Sequence, residues 1–103
     1  MATKSEWTPL HFACCNDEPE IAWLAIECGA DIKARDNFER TPLHLACKSG
    51  QLEIAEFLTD RGADIEATDV NGITAMHLAC ESKCMELIWM LVNRYPFLLV
   101  NDN

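Results

Sequence analysis

The chain has 103 residues, half of them apolar, which is enough for one packed core but not for two independent domains. Its 24% charged residues, with only 4 Gly and 4 Pro, describe a folding sequence rather than a disordered one. The formal charge of −9, from 17 Asp and Glu against 8 Lys and Arg, repels the phosphate backbone that dominates nucleic-acid affinity. The longest apolar run, Leu87 to Val92, falls far short of the roughly 20 residues needed to cross a bilayer.

The opening stretch, MATKSEWTPL, lacks the basic start and apolar segment of a signal peptide, so the chain is expected to be soluble and cytoplasmic, or nuclear. The first distinctive string follows at once, Thr8-Pro9-Leu10-His11-Phe12-Ala13-Cys14. It returns as Thr41-Pro42-Leu43-His44-Leu45-Ala46-Cys47 and again as Thr74-Ala75-Met76-His77-Leu78-Ala79-Cys80, each time 33 residues on. A second block keeps the same register, Gly29-Ala30-Asp31-Ile32 recurring as Gly62-Ala63-Asp64-Ile65. Self-similarity at such a period marks a solenoid of stacked units.

The middle copy shows what one unit contains. Thr41 is a good N-cap and Pro42 stands at the first helical position, where its missing N–H costs nothing. The helix they open is expected to end near Lys48, broken by Ser49 and Gly50. Leu52, Ile54, Ala55, Phe57 and Leu58 then recur at helical spacing, with Glu53, Glu56 and Asp60 opposite, which predicts a second, amphipathic helix. Gly62 stops it at a left-handed C-cap, and the Asp- and Asn-rich residues beyond read as an extended turn.

The third copy is irregular. Tyr95-Pro96-Phe97-Leu98 stands where Gly-Ala-Asp-Ile is expected, although Leu98, Val100 and Asp102 keep register with Ile65, Ala67 and Asp69. Two readings stay open: an array cut at a repeat boundary, or an apolar tail from Phe97 to Val100 folding back as a cap. Trp89, Leu91, Leu98 and Leu99 would leave the outer face of this unit apolar, where solenoids want polar ends.

The T-P-L-H-x-A strings, the Gly-Ala-Asp-Ile block and the 33-residue period resemble the ankyrin repeat over nearly the whole chain. The resemblance implies an all-α solenoid of stacked helix-turn-helix units, with β-hairpin-like turns projecting from one edge and lining a concave binding face. The repeats would occupy residues 1–35, 36–68 and 69–103, the last ending where a fourth would open. Two departures are expected to matter. The family's turn Gly survives only as Gly72, with Glu6 and Glu39 in the other copies, so those tips should be less regular; the Gly between paired helices survives only as Gly50, with Asp17 and Lys83 elsewhere.

Six cysteines raise the question of a disulfide framework or of zinc, and spacing answers both. Cys14, Cys47 and Cys80 each follow His-x-Ala at the same repeat position, as small buried thiols would, and all six are expected to be reduced. Cys14 with Cys15, and Cys80 with Cys84, form no C-x-x-C arrangement. His11, His44 and His77, one helix spacing or about 8–10 Å apart in a stack, cannot share a metal whose ligands lie about 2 Å away. They are expected to hydrogen-bond turn backbone and tie each unit to the next. The pairing of His11 with Cys14 repeats in every unit, as packing does, and there is no glycine-rich phosphate loop, so neither enzyme activity nor a metal or other cofactor is expected.

The resemblance further implies a non-catalytic module that binds a partner protein through turn tips and the exposed side of each first helix. Carried onto this sequence, those positions are Lys4, Ser5, Trp7, Cys15, Asn16 and Arg35 in the first copy; Asn37, Phe38, Arg40, Lys48, Ser49 and Thr68 in the second; and Val70, Asn71, Ile73, Glu81 and Ser82 in the third. Lys4, Arg35, Arg40 and Lys48 are half of all the basic residues, and Trp7 and Phe38 are of the kind that dominates binding energy. An acidic and apolar partner segment is expected, with Glu6, Glu39, Asp36 and Asp69 counting against the charge argument, and Cys15 is expected to be exposed there. The other reading is structural: part of a longer array or multidomain protein whose apolar C-terminal end packs on further repeats or self-associates.

Overall fold

A computed structural model describes residues 7–99, so Lys4, Ser5, Glu6, Val100 and Asp102 lie outside the described residues. Among the described residues six α-helices follow one another in pairs: α1 (Pro9–Cys15) with α2 (Pro19–Glu27), α3 (Pro42–Lys48) with α4 (Leu52–Asp60), and α5 (Ala75–Ser82) with α6 (Met85–Arg94). A 3-10 turn, Pro96–Leu99, follows. The first helices of the pairs form one layer, α3 packing between α1 and α5, and the second helices form another, α4 packing between α2 and α6. No strand is present among the described residues, and the all-α stack extends over 37 × 28 × 22 Å.

The start of each inner helix is set by the same local chemistry. Thr8, Thr41 and Thr74 sit in extended backbone as N-caps, each accepting a hydrogen bond from the backbone N–H of the His three residues on. The His side chain returns the bond, with Nδ1 accepting from the Thr backbone N–H at 3.0, 3.0 and 3.1 Å. Two orphan donors of the helix terminus are thereby satisfied reciprocally. A helix of seven or eight residues is too short to hold itself in water, and the cap and burial supply what propensity cannot. Leu10, Leu43, Leu45, Ile54, Leu58, Leu87 and Leu91 fill the core between the layers at 2% exposure or less.

Of the positions expected to suffer for want of glycine, Glu6 lies outside the described residues, and Asp17, Glu39 and Lys83 keep the repeat geometry. Asp17, Lys83 and Gly50 all end their inner helices at positive φ, 57°, 60° and 70°. At the turn tips Glu39 takes φ 65° where Gly72 takes 77°. The tip of the second copy is therefore as regular as that of the third: Glu39 N donates to Asp36 O at 2.9 Å and Asp36 N to Arg40 O at 3.0 Å, matched by Gly72 N to Asp69 O and Asp69 N to Ile73 O, both at 3.0 Å. The expected irregularity is absent because the hydrogen-bonded frame over-determines the conformation and a single strained residue costs only about 1–2 kcal/mol.

Two further expectations are corrected. Cys14 and Cys47 are buried, but Cys80 is exposed. Its equivalents are covered by the following unit, and among the described residues nothing follows the third. Leu91 is fully buried rather than part of an apolar outer face, because it points between α6 and the core, whereas Trp89 stands 67% exposed. At the irregular end, Tyr95 and Leu98 pack against the core, while Phe97 remains exposed and meets Tyr95 edge to face at 5.9 Å.

Candidate interaction face

The turns are held by Asp36 and Asp69, the same aspartates whose charge counts against a basic strip in the sequence. Asp36 Oδ1 accepts from the backbone N–H groups of Phe38 at 2.8 Å and Arg40 at 2.9 Å, while its Oδ2 accepts from Arg40 Nε and Trp7 Nε1, both at 2.9 Å. Asp69 repeats the backbone half of this pattern with Asn71 and Ile73 at 2.8 and 3.0 Å. Asp36 is 3% exposed, and burial by itself would raise its carboxyl. The bonds from the Arg40 and Phe38 amides, the Trp7 indole and the Arg40 side chain outweigh that and hold it below its usual value. The carboxylate is a structural anchor, its charge met by Arg40.

The histidines carry the same frame from unit to unit. The backbone N–H of Thr41 can only donate, so Nδ1 of His44 is the acceptor and the ring proton sits on Nε2, which donates to the Ile73 carbonyl at 2.8 Å. His11 does the same to Arg40 O at 3.1 Å. The expectation that these rings tie neighbouring units is met by both. His77 keeps only the bonds to its own Thr74, and its Nε2 finds no acceptor among the described residues.

Above these turns lies a shallow groove of about 280 Å³, lined by Phe38, Arg40, Lys48, Asp69, Val70, Asn71, Ile73 and Leu78. It brings together six of the positions singled out from the sequence: Phe38, Arg40, Lys48, Val70, Asn71 and Ile73. Its walls are joined by a backbone bond from Val70 N to Phe38 O at 3.1 Å, which links consecutive turns like one rung of a ladder. The Arg40 guanidinium lies 5.0 Å from the centre of the Phe38 ring, so the aromatic platform and the Asp36 pair share one arginine. Phe38 and Val70 are exposed, and Lys48 is exposed at the end of α3.

The remaining positions do other things. Trp7 is half-buried, bonded to Asp36 and stacked against His11 with ring centres 6.2 Å apart, and it meets Phe12 edge to face at 5.1 Å; it helps build the turn frame beneath the groove. Arg35 donates to Thr68 O at 2.8 Å and Glu39 O at 3.2 Å, strapping one turn to the next. Cys15 is half-buried rather than freely exposed, its carbonyl accepting from Ser49 at 3.5 Å. Ser82 donates to Ala79 O at 2.8 Å. Asn16, Asn37, Ser49, Thr68 and Glu81 are exposed but do not line the groove.

Sequence reasoning missed Leu78 and Asp69 as groove residues, because Leu78 belongs to a repeated framework string and Asp69 counts there only as a negative charge beside the strip. It also missed a larger concavity between α2 and α4, of about 580 Å³. Size does not rank the two, since complementarity and not area decides affinity. Among the described residues, no group of three or more His, Cys, Asp or Glu side chains is placed to hold a metal ion, and no helix is long and apolar enough to cross a membrane.

No curated protein matches the chain. The family model for ankyrin repeats, in three copies, matches residues 1–69 and 23–102. Members of this family serve in general as protein-protein interaction modules and are typically not enzymes. With helix pairs, caps and inter-turn bonds all repeating at the period of that match, the chain belongs to the ankyrin-repeat family.

Proposed function

We propose that the chain binds a partner protein through the groove at the second and third turns, on its concave face, and that the partner presents an apolar side chain with an acidic neighbour. The observation that carries this reading is the convergence of Phe38, Arg40, Lys48, Val70, Asn71 and Ile73, drawn from different repeats, on one groove in a protein of net charge −9. Arg40 is engaged by Asp36 and Arg35 by Glu39 at 3.7 Å, so Lys48 supplies the charge that steers the encounter, and Phe38, Val70 and Ile73 supply the apolar seat. The module acts without catalysis and works in the cytoplasm or nucleus.

The test is capture of the partner from cell extract, followed by titration of the recovered partner against the native chain, Phe38→Ala and Lys48→Glu. Trp7→Ala is a poor reporter, since losing the indole also removes a bond from buried Asp36. Equal affinity for all three chains would remove the groove from consideration.

A second reading rests on the open end of the third unit, where His77 Nε2 has no acceptor among the described residues, Cys80 is exposed and Trp89 is 67% exposed. On that reading the end packs against further repeats or a second copy of the chain. Sedimentation of the native chain beside Trp89→Glu tests it: a dimer converted to monomer supports it, and a native monomer at high concentration counts against it.

A further inference from the structure

The outer helices carry a face that the turn groove does not explain. The concavity between α2 and α4 is walled by Trp23 and Phe57, whose rings meet edge to face with centres 6.0 Å apart, and by the carboxylates of Glu20, Glu53, Glu56 and Asp60. Trp23 is 53% exposed. Asp60 is paired with Arg94 of the next unit, but Glu20, Glu53 and Glu56 take part in none of the ion pairs among the described residues.

The repeat register produces this arrangement. Glu20, Glu53 and Glu86 occupy one position in successive outer helices, 33 residues apart, and Glu56 stands where the first unit has Trp23. Carboxylates and an aromatic pair thus share one groove. At its edge the chain itself seats a cation in the same chemistry: Arg61 places its guanidinium 4.7 Å from the centre of the Phe57 ring while donating to Glu27 at 2.6 Å. A ring face attracts a cation through its quadrupole, and carboxylates beside it neutralise the charge with directed hydrogen bonds.

We propose that this groove is a second docking site, specific for a basic segment of a partner protein, with an Arg or Lys side chain laid along the Trp23 indole and its head between Glu53 and Glu56. Charge complementarity selects the occupant: Glu20, Glu53 and Glu56, outside the ion pairs among the described residues, repel acidic peptides, nucleic acid and anionic lipid alike. The preference is opposite in sign to that of the turn groove, and the site stands or falls independently of it.

The test uses a fluorescein-labelled peptide of alternating Arg and Ala, titrated by anisotropy at low salt against the native chain and four variants with unchanged helicity. Trp23→Ala and the double variant Glu53→Gln/Glu56→Gln each weaken binding about tenfold. The double variant Asp64→Asn/Glu66→Gln, which removes the same charge on the turn side, changes it by no more than about twofold. Absence of saturable binding, indifference to Trp23→Ala, or an equal loss in the turn-side control would each overturn the proposal. Phe38→Ala, which disables the turn groove, leaves this binding intact.

Discussion

The Nε2 of His44 lies 2.8 Å from the carbonyl oxygen of Ile73, 29 residues away in the next repeat, while the other ring nitrogen closes the cap of its own helix. One buried side chain thus serves two units. Replacing it with Ala leaves the buried Thr41 N–H without its partner and takes from the Ile73 carbonyl one of its two bonds, the other coming from Asp69 N–H, at a cost of about 2 kcal/mol in chemical denaturation. His77→Ala, at a ring with no partner beyond its own cap among the described residues, costs less than about 1 kcal/mol. Equal losses from the two substitutions would contradict the inter-unit role.

Acid sensitivity follows from the same rings. Burial is the largest influence on His11 and His44 and lowers both below the usual 6.5, against the opposing pull of the carbonyls they bond. The unfolded chain therefore binds protons first, so stability is complete above 6.5 and declines as the pH falls below it. Asp36, held below 3.8, adds a second decline as the pH drops under that value. Denaturation midpoints measured across this range should fall in those two stages, the first shrinking in His44→Gln; a midpoint that rises on acidification would contradict the assignment.

Backbone strain offers a stabilising substitution. Lys83 at φ 60° and Glu39 at φ 65° hold left-handed conformations that a glycine adopts without a Cβ penalty. Lys83→Gly and Glu39→Gly should each raise stability by about 0.5–1 kcal/mol once the entropy of the unfolded glycine is counted. Thermal unfolding checks this, and a lowered midpoint for both would show that the strain is compensated by contacts of the side chains.

Thiol chemistry should divide along the repeats. Burial pushes Cys14 and Cys47 up to about 12, so neither forms a thiolate at neutral pH, whereas Cys28 and Cys80 are exposed. Alkylation of the native chain followed by mass spectrometry should mark Cys28 and Cys80 first and reach Cys14 and Cys47 only on unfolding. Early labelling at Cys47 would mean that the third unit opens readily.

Most of the fold was legible because the repeat encodes it redundantly. Thr41, Pro42 and His44 announce a capped helix by local chemistry alone, and the same letters three times over fix the register. The groove was legible only in part. Phe38, Lys48, Val70 and Ile73 occupy positions that the repeat leaves variable and therefore stand out, but Trp7 stood out equally, and its bond to Asp36 turns it into framework. That bond joins residues 29 apart, and no local pattern announces it. Asp36 read as a surface charge because composition says nothing of burial. The pocket between Trp23 and Phe57 escaped notice because each residue, taken on its own helix, looks like part of an ordinary amphipathic face.

The most direct measurement is the affinity of the captured partner for Phe38→Ala and for Trp23→Ala, side by side with the native chain. If the turn groove is the recognition surface, Phe38→Ala weakens binding by about 2 kcal/mol, roughly 30-fold, and Trp23→Ala leaves it unchanged. Binding that survives Phe38→Ala in full would contradict the assignment of the partner to that groove.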